Sequence, residues 1–181
     1  MKKVVAILGS PRKESYSSQL AEAAAKAVSG AEVRSFVLNN LNFKGCQGCM
    51  SCKSKTEICA VQDDLTQVLA AVAEADSVIL SSPIYIGEVT AQLKAFIDRT
   101  FSYLLPDFGV NPKPSRLAPG KQLLFIITQG QPDPALYEQS VLGHYLGSFK
   151  NLGFNVHKFI AVASQAGEAA VKSVEGIAAK F

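Results

Sequence analysis

Short apolar runs recur along the chain. Each is closed by a polar turn, and most lead into a stretch with apolar residues three or four positions apart. Val4 to Leu8 is the first such run, ended by Gly9, and predicts a strand buried on both faces. After a polar turn, Leu20, Ala21, Ala24, Ala25 and Val28 follow at helical spacing until Ser29-Gly30. Ala31 to Leu38 alternates as a second strand. Asp63 and Asp64 read as the cap of a helix carrying Leu65, Val68, Leu69 and Val72. Asp76 to Ser82 is a third strand, ending at Pro83. A helix then runs from about Thr90 through Leu93, Phe96, Ile97 and Phe101. Pro106 to Pro119 is an exposed loop. Leu123 to Thr128 is the most apolar strand, Pro134 to Asn151 a helix, Phe154 to Ala161 a strand, and Glu168 to Lys180 a final Ala-rich helix.

Strands alternating with helices in this way predict a three-layer α/β domain spanning 1–181. Its five-stranded parallel sheet would carry helices on both faces. A flavodoxin-like strand order of 2-1-3-4-5 places ligands at the carboxyl ends of the strands, near strands 1 and 3. Three polar turns fall there. Ser10 to Ser18 carries hydroxyls at Ser10, Ser15, Ser17 and Ser18 plus the Arg12 fork, next to a helix N-terminus, an arrangement that suits a phosphate. The same turn also reads as a serine-rich cap without a ligand. Ser82 to Thr90 puts Tyr85 between Ile84 and Ile86, an apolar-aromatic surface for a flat ring, with Gly87 permitting close backbone approach. The bland alternative is a cover for the sheet end. Thr128-Gln129-Gly130-Gln131 adds amide and hydroxyl groups, or is an ordinary loop.

Composition narrows the classes. A chain of 181 residues, 48% apolar and 18% charged, can bury a core, and a formal charge of +3 is too mild to argue for nucleic acid. The apolar run after Lys2-Lys3 is too short for a secretory signal or a membrane span, so the expected setting is the cytoplasm, with no membrane partner. In a reducing interior, clustered thiols bind metal or do redox chemistry more often than they form disulfides. Here all four cysteines lie in the unpatterned connection 39–62, as C-x2-C-x2-C-x6-C at Cys46, Cys49, Cys52 and Cys59. A connection this long inside a compact domain is usually functional or disordered, and four soft ligands favour the former.

The segments Gly9-Ser10-Pro11-Arg12-Lys13, Ser82-Pro83-Ile84-Tyr85 with Gln92-Leu93-Lys94-Ala95-Phe96-Ile97-Asp98-Arg99, and the cysteine loop before Asp63-Asp64 together carry a specific resemblance. The chain resembles the NAD(P)H-dependent FMN reductase family, and within it the iron–sulfur flavoproteins. That resemblance is detailed from Met1 to about Arg99 and looser beyond. It implies noncovalent FMN, with the phosphate on Ser10, Arg12, Ser17 and Ser18 and the ring on Pro83, Ile84, Tyr85, Ile86 and Gly87. Thr128 and Gly130 would lie nearby. Where the family often reads Gly-Asn-Thr, this chain has Ser15-Tyr16-Ser17, so the amide contact is not carried over. Arg99 matches a recurring family position; a helix-surface salt bridge or an interface contact is as good a reading of it as a flavin role. The resemblance also implies NAD(P)H as co-substrate and dimers or tetramers in which a neighbour covers the flavin; ferredoxin or another redox protein is a candidate partner for cluster-mediated transfer.

The cysteine spacing resembles the tight run that holds a [4Fe–4S] cluster in bacterial ferredoxins, with Gly45 and Gly48 permitting sharp turns. Lys44, Lys53 and Lys55 would offset the charge of such a cluster. Zinc on the same four thiolates, a redox dithiol at Cys46 and Cys49, and a vestigial motif stay open. His144 and His157 sit alone on a predicted helix and strand and suggest no catalytic role, so the chemistry would be borne by cofactors rather than by catalytic side chains. The leading expectation is an oxidoreductase passing electrons between cluster and FMN. One alternative is an FMN or quinone reductase without a cluster; another is a non-enzymatic carrier like flavodoxin. The loop leaves strand 2 and is expected at one edge of the sheet.

Overall fold

A computed structural model describes residues 1–181, the side chain of Gln165 apart. Strands β1 (Lys2–Leu8), β2 (Ala31–Val37), β3 (Ser77–Pro83), β4 (Gln122–Gln129) and β5 (Asn155–Val162) form one sheet in the order β2-β1-β3-β4-β5. All four pairings are parallel, with Val4 opposite Ser77 and Ser77 opposite Gln122. The architecture is therefore the one read from the pattern, and the strand order is the flavodoxin-like one expected of that architecture. β1, β3 and β4 are continuous apolar runs because both of their faces are covered, whereas edge strand β2 is largely exposed.

Six α-helical segments accompany the strands among the described residues: α1 (Tyr16–Ala27), α2 (Ser51–Ser54), α3 (Leu65–Glu74), α4 (Ala91–Arg99), α5 (His144–Asn151) and α6 (Glu168–Ala178). One core lies between the sheet and α1 with α6, built on Val4, Ala6, Leu20, Ala24, Ile79, Leu124 and Val174. The other lies under α3, α4 and α5, built on Ile7, Leu65, Leu80, Phe96, Phe125 and Phe149. Burying each such aliphatic or aromatic side chain contributes about 1.5–3 kcal/mol. None of the helices is long and apolar enough to cross a membrane.

Three predicted boundaries differ. The helix expected over 134–151 is α-helical only from His144. It is preceded by turns and a π-helical stretch, Glu138–Gly143, in which Leu142 N–H reaches back to Tyr137 C=O at 3.1 Å. Asp133 starts these turns by accepting from Ala135 N–H at 2.8 Å, and Gly143 adds no helical preference. The helix through Phe101 ends at Arg99 and tightens into a 3-10 turn at Thr100–Tyr103. Within the long connection, Ser51–Ser54 makes one helical turn that no periodicity announced.

Candidate functional site

The carboxyl ends of β1, β3 and β4 bring the three polar turns to one crown of the sheet. Gly9 is its tightest point. A Cβ there would lie 2.8 Å from the Ser81 carbonyl oxygen and 2.9 Å from Leu93 Cβ, so only glycine fits between β3 and α4. Thr90 ties the parts together: its hydroxyl donates to Gly9 C=O at 2.6 Å and accepts from Leu93 N–H at 3.3 Å, capping α4. Thr90 N–H donates to Ser82 Oγ at 3.0 Å.

In the first turn, Ser10 and Ser17 are buried, Ser18 is half-buried and Arg12 is exposed. Ser10 Oγ accepts from Arg12 N–H at 3.2 Å, and the Ser15 and Ser17 hydroxyls bond each other at 2.9 Å. These hydroxyls line the start of α1, whose first N–H groups have no acceptor within the helix. In the second turn, Pro83 and Ile84 are half-buried and Tyr85 is 38% exposed. Tyr85 and Glu88 exchange backbone bonds of 2.8 and 3.1 Å, closing a two-residue hairpin whose central residues, Ile86 and Gly87, both have positive φ, 49° and 77°. A β-branched residue rarely adopts that conformation, and it lifts Ile86 wholly into solvent. In the third turn Thr128 is buried and Gly130 exposed, and Thr128 C=O accepts from Ile84 N–H at 2.8 Å. The structure thus brings the residues expected around FMN to one crown. Two buried oxygens there, Ser81 Oγ and Gln129 Oε1, have no hydrogen-bond partner in the protein, so a ligand bearing hydroxyl or N–H donors fits the chemistry of the site.

The cysteine loop does not stay at the β2 edge. It crosses over and runs the length of α4: Asn39 bonds Gln92 at 3.0 Å, Gly45 lies against Ala95, and Lys53 Nζ donates to Phe101 C=O at 2.7 Å. The edge expectation is corrected by one side chain that the helix pattern hides. Arg99 is 1% exposed, and its fork donates to Lys44 C=O at 3.1 Å, Val61 C=O at 2.8 Å and both oxygens of Asp63 at 2.9 and 2.8 Å. This is neither a surface salt bridge nor an interface contact; it pins both ends of the loop to the body. Of the two aspartates expected to cap α3, only Asp63 does so, accepting from Leu65 N–H at 3.0 Å; it also accepts from Lys44 N–H at 3.0 Å, and Asp64 turns instead to Asn42 N–H at 2.7 Å. Burial alone would push the Asp63 carboxyl up, but Lys44 N–H, the Arg99 guanidinium and Leu65 N–H together hold it below its ordinary value.

Cys46, Cys49, Cys52 and Cys59 all line one cavity of about 500 Å³, closed by Ile97 to Ser102 at the end of α4 and by His144, Tyr145 and Ser148 of α5. Cys46 and Cys49 are exposed, Cys59 half-buried and Cys52 buried. Gly48 and Met50 turn the loop with φ of 62° and 56°. Lys53 Nζ lies 3.4 Å from Cys52 Sγ and 4.2 Å above the Phe101 ring, and Arg116 donates to Cys52 C=O at 3.2 Å. The backbone N–H and then the hydroxyl of Ser51 hold the Cys49 thiol below its usual range. Among the described residues no three His, Cys, Asp or Glu side chains converge as one metal ion requires. Zinc would gather thiolates at bonds of about 2.3 Å and a [4Fe–4S] cluster would take one thiolate at each iron; the four thiols around one cavity are the donors either would use.

The cavity follows α4 from Lys94 to Arg99, and Tyr145 lines it while bonding Glu88 of the crown. Sequence reasoning missed Tyr145, which touches both regions, and the cavity-lining position of His144. Their signal was the stripe Tyr145, Phe149 and Leu152 on α5, which reads simply as core.

Comparison with known proteins places residues 2–156 within the family described as NADPH-dependent FMN reductase. Among curated relatives, an iron–sulfur flavoprotein of Archaeoglobus fulgidus is 44% identical over 103 residues, covering 56% of this chain and 46% of the relative. One from Methanocaldococcus jannaschii is 39% identical over 100 residues, covering 54% of this chain and 51% of the relative. The matched region thus spans about half the length of each. Among solved structures, an azoreductase from Bacillus anthracis superposes with a TM-score of 0.74 at 17% identity, covering 100% of both chains. An NAD(P)H:quinone oxidoreductase from Methanothermobacter marburgensis does so with a TM-score of 0.70 at 18% identity, covering 98% of this chain and 92% of its own. At such identities the likeness is one of fold.

Proposed function

Because the chain belongs to the NADPH-dependent FMN reductase family, we propose that it is an FMN-dependent oxidoreductase that passes electrons between a [4Fe–4S] cluster and FMN. The carrying observation is that all four cysteines of one loop line a single cavity, in a chain that is 44% identical over 103 residues to an iron–sulfur flavoprotein. In this reading Ser10, Arg12, Ser17 and Ser18 hold the phosphate of FMN. Pro83, Ile84, Tyr85, Ile86 and Gly87 form the shelf for its ring, with Thr128 and Gly130 alongside. Cys46, Cys49, Cys52 and Cys59 hold the cluster. The cofactors supply one- and two-electron chemistry when bound; the chain binds, orients and insulates them. Ser17 can accept from the Ser15 hydroxyl while donating its own to the phosphate, and Lys53 and the Arg116 contact place positive charge beside the cysteine loop.

A second copy belongs to this reading, because the flavin turn and the cysteine loop both expose apolar side chains. Its flavin turn, with Tyr85 and Ile86 exposed, would approach the first copy's cysteine loop, where Met50 and Ile58 are exposed. The chain is then a homodimer or homotetramer working in the cytoplasm as one domain, with NAD(P)H or a ferredoxin-like redox protein exchanging electrons. A monomer by light scattering would remove this part of the proposal.

A cluster-free NAD(P)H-dependent FMN or quinone reductase is the second reading, favoured by the exposure of Cys46 and Cys49. Anaerobic purification and reconstitution separate the two. The cluster reading expects bound flavin with about four irons per chain, and a Cys49→Ala variant that loses iron but keeps FMN. Flavin without iron, with steady-state NAD(P)H oxidation, would favour the second reading. A protein that binds no flavin would overturn both.

A further inference from the structure

Glu88 closes the exposed hairpin of the crown: its N–H donates to Tyr85 C=O at 3.1 Å and its C=O accepts from Tyr85 N–H at 2.8 Å. Glu88 is exposed, yet two donors converge on one of its carboxylate oxygens, Oε1, and tether it: Val89 N–H at 2.7 Å and the Tyr145 hydroxyl at 3.0 Å. Tyr145 is 3% exposed. Its ring is held between Phe125 of β4, 6.0 Å away, and His144, 5.5 Å away, so the hydroxyl that fixes Glu88 has little freedom of its own. Burial, reinforced by the Glu88 carboxylate, raises the Tyr145 hydroxyl well above its ordinary pKa and keeps it a donor. The same ring lines the cysteine cavity. Tyr145 is thus a single buried side chain that reaches from that cavity to the turn where a flavin ring would rest.

We propose that Glu88 is a potential-setting residue for the bound flavin and that Tyr145 is the positioning residue that keeps its charge in place. The inference rests on the reading of the crown as an FMN site. Two-electron reduction adds negative charge to the flavin. A carboxylate fixed in the adjoining turn therefore disfavours the reduced form relative to the oxidised one and lowers the midpoint potential, whereas one free to move into water is screened and does so less. Glutamine at the same position can still accept from Val89 and Tyr145 while carrying no charge, so Glu88→Gln isolates electrostatics from shape.

The test is the midpoint potential of bound FMN in the protein as isolated, followed at the flavin absorption, with iron measured in every sample. It compares wild type, Glu88→Gln, Tyr145→Phe and the double variant. Glu88→Gln is expected to raise the potential, shifting the ratio of reduced to oxidised FMN affinity on the order of tenfold, or about 30 mV for a two-electron couple. Tyr145→Phe should move it the same way by less. The double variant should match Glu88→Gln alone, because Tyr145 acts only through Glu88. An unchanged potential in Glu88→Gln, or a Tyr145→Phe effect that adds in full to it, overturns the inference. The Glu88→Gln arm decides by itself if Tyr145→Phe does not fold. A wild-type protein without FMN would sink the flavin reading first and this inference with it, and its spectrum tells that failure apart from an unchanged potential.

Discussion

One nitrogen of the Arg99 guanidinium lies 2.9 and 2.8 Å from the two carboxylate oxygens of Asp63, with the arginine side chain fully buried and the aspartate only 13% exposed. An ion pair removed from water is a poor source of net stability when compared with apolar replacements, but losing one partner leaves the other charge stranded.

Arg99→Leu is therefore expected to destabilise the fold by about 3 kcal/mol, read as a lowered midpoint in urea unfolding. Arg99→Lys should recover little of it, because a point charge on a flexible stem cannot span Lys44 C=O, Val61 C=O and Asp63 as the planar fork does. A wild-type midpoint in Arg99→Leu would show that the loop is held by other contacts.

The same pair sets a pH dependence. Asp63 titrates below its ordinary value in the folded protein, so the unfolded chain takes up its proton first as pH falls. The stabilisation is complete above the ordinary carboxylate pKa of about 3.9 and is lost as pH drops through the lower folded value. Urea midpoints of wild type and Asp63→Asn should differ by a constant amount above about pH 5 and converge in acid. A gap that widens as pH falls below 4 would reverse the assigned sign.

Gly9→Ala should be costly although its backbone conformation is ordinary. The added methyl would meet the Ser81 carbonyl oxygen and Leu93 Cβ inside 3 Å, where neither can yield without moving β3 or α4. Overpacking of this kind costs about 1–3 kcal/mol. At Gly130 a Cβ meets nothing within 4 Å, so Gly130→Ala is the matched control. Equal thermal stability of the two variants would contradict the crowding at Gly9.

Thiol accessibility gives a direct reading of the loop. In iron-free protein, Cys46 and Cys49 should react with a small aromatic disulfide well before Cys52, which is 8% exposed and flanked by Lys53 and Phe101. Mass spectrometry of a partially modified sample checks the order. Early labelling of Cys52 would mean that the loop lifts off α4.

Much of this was legible in the sequence because of how parallel sheets are built. β1, β3 and β4 are covered on both faces, so Val4–Leu8, Val78–Leu80 and Leu123–Ile127 had to be unbroken apolar runs, and the turns that follow them had to share one crown. The path of the cysteine loop was not legible. It depends on Arg99, whose position three residues after Phe96 places it on the apolar stripe of α4, but whose partners come from residues 36 to 55 positions away. The contact of Tyr145 with Glu88 is hidden for the same reason: 57 residues separate them, and no local pattern marks a hydroxyl that will meet a carboxylate across the fold.

The grip of Arg99 on Lys44 C=O and Val61 C=O has a consequence for how such a chain can change over generations. One guanidinium holds the entrance and the exit of the segment 45–60 within a few ångströms of each other. The segment is in effect a cassette clipped to a finished sheet: one arginine brackets both its ends, so a loop of different length or composition could take its place without redrawing any strand. Exchanging that cassette would change what the four thiols offer while leaving the crown as it is.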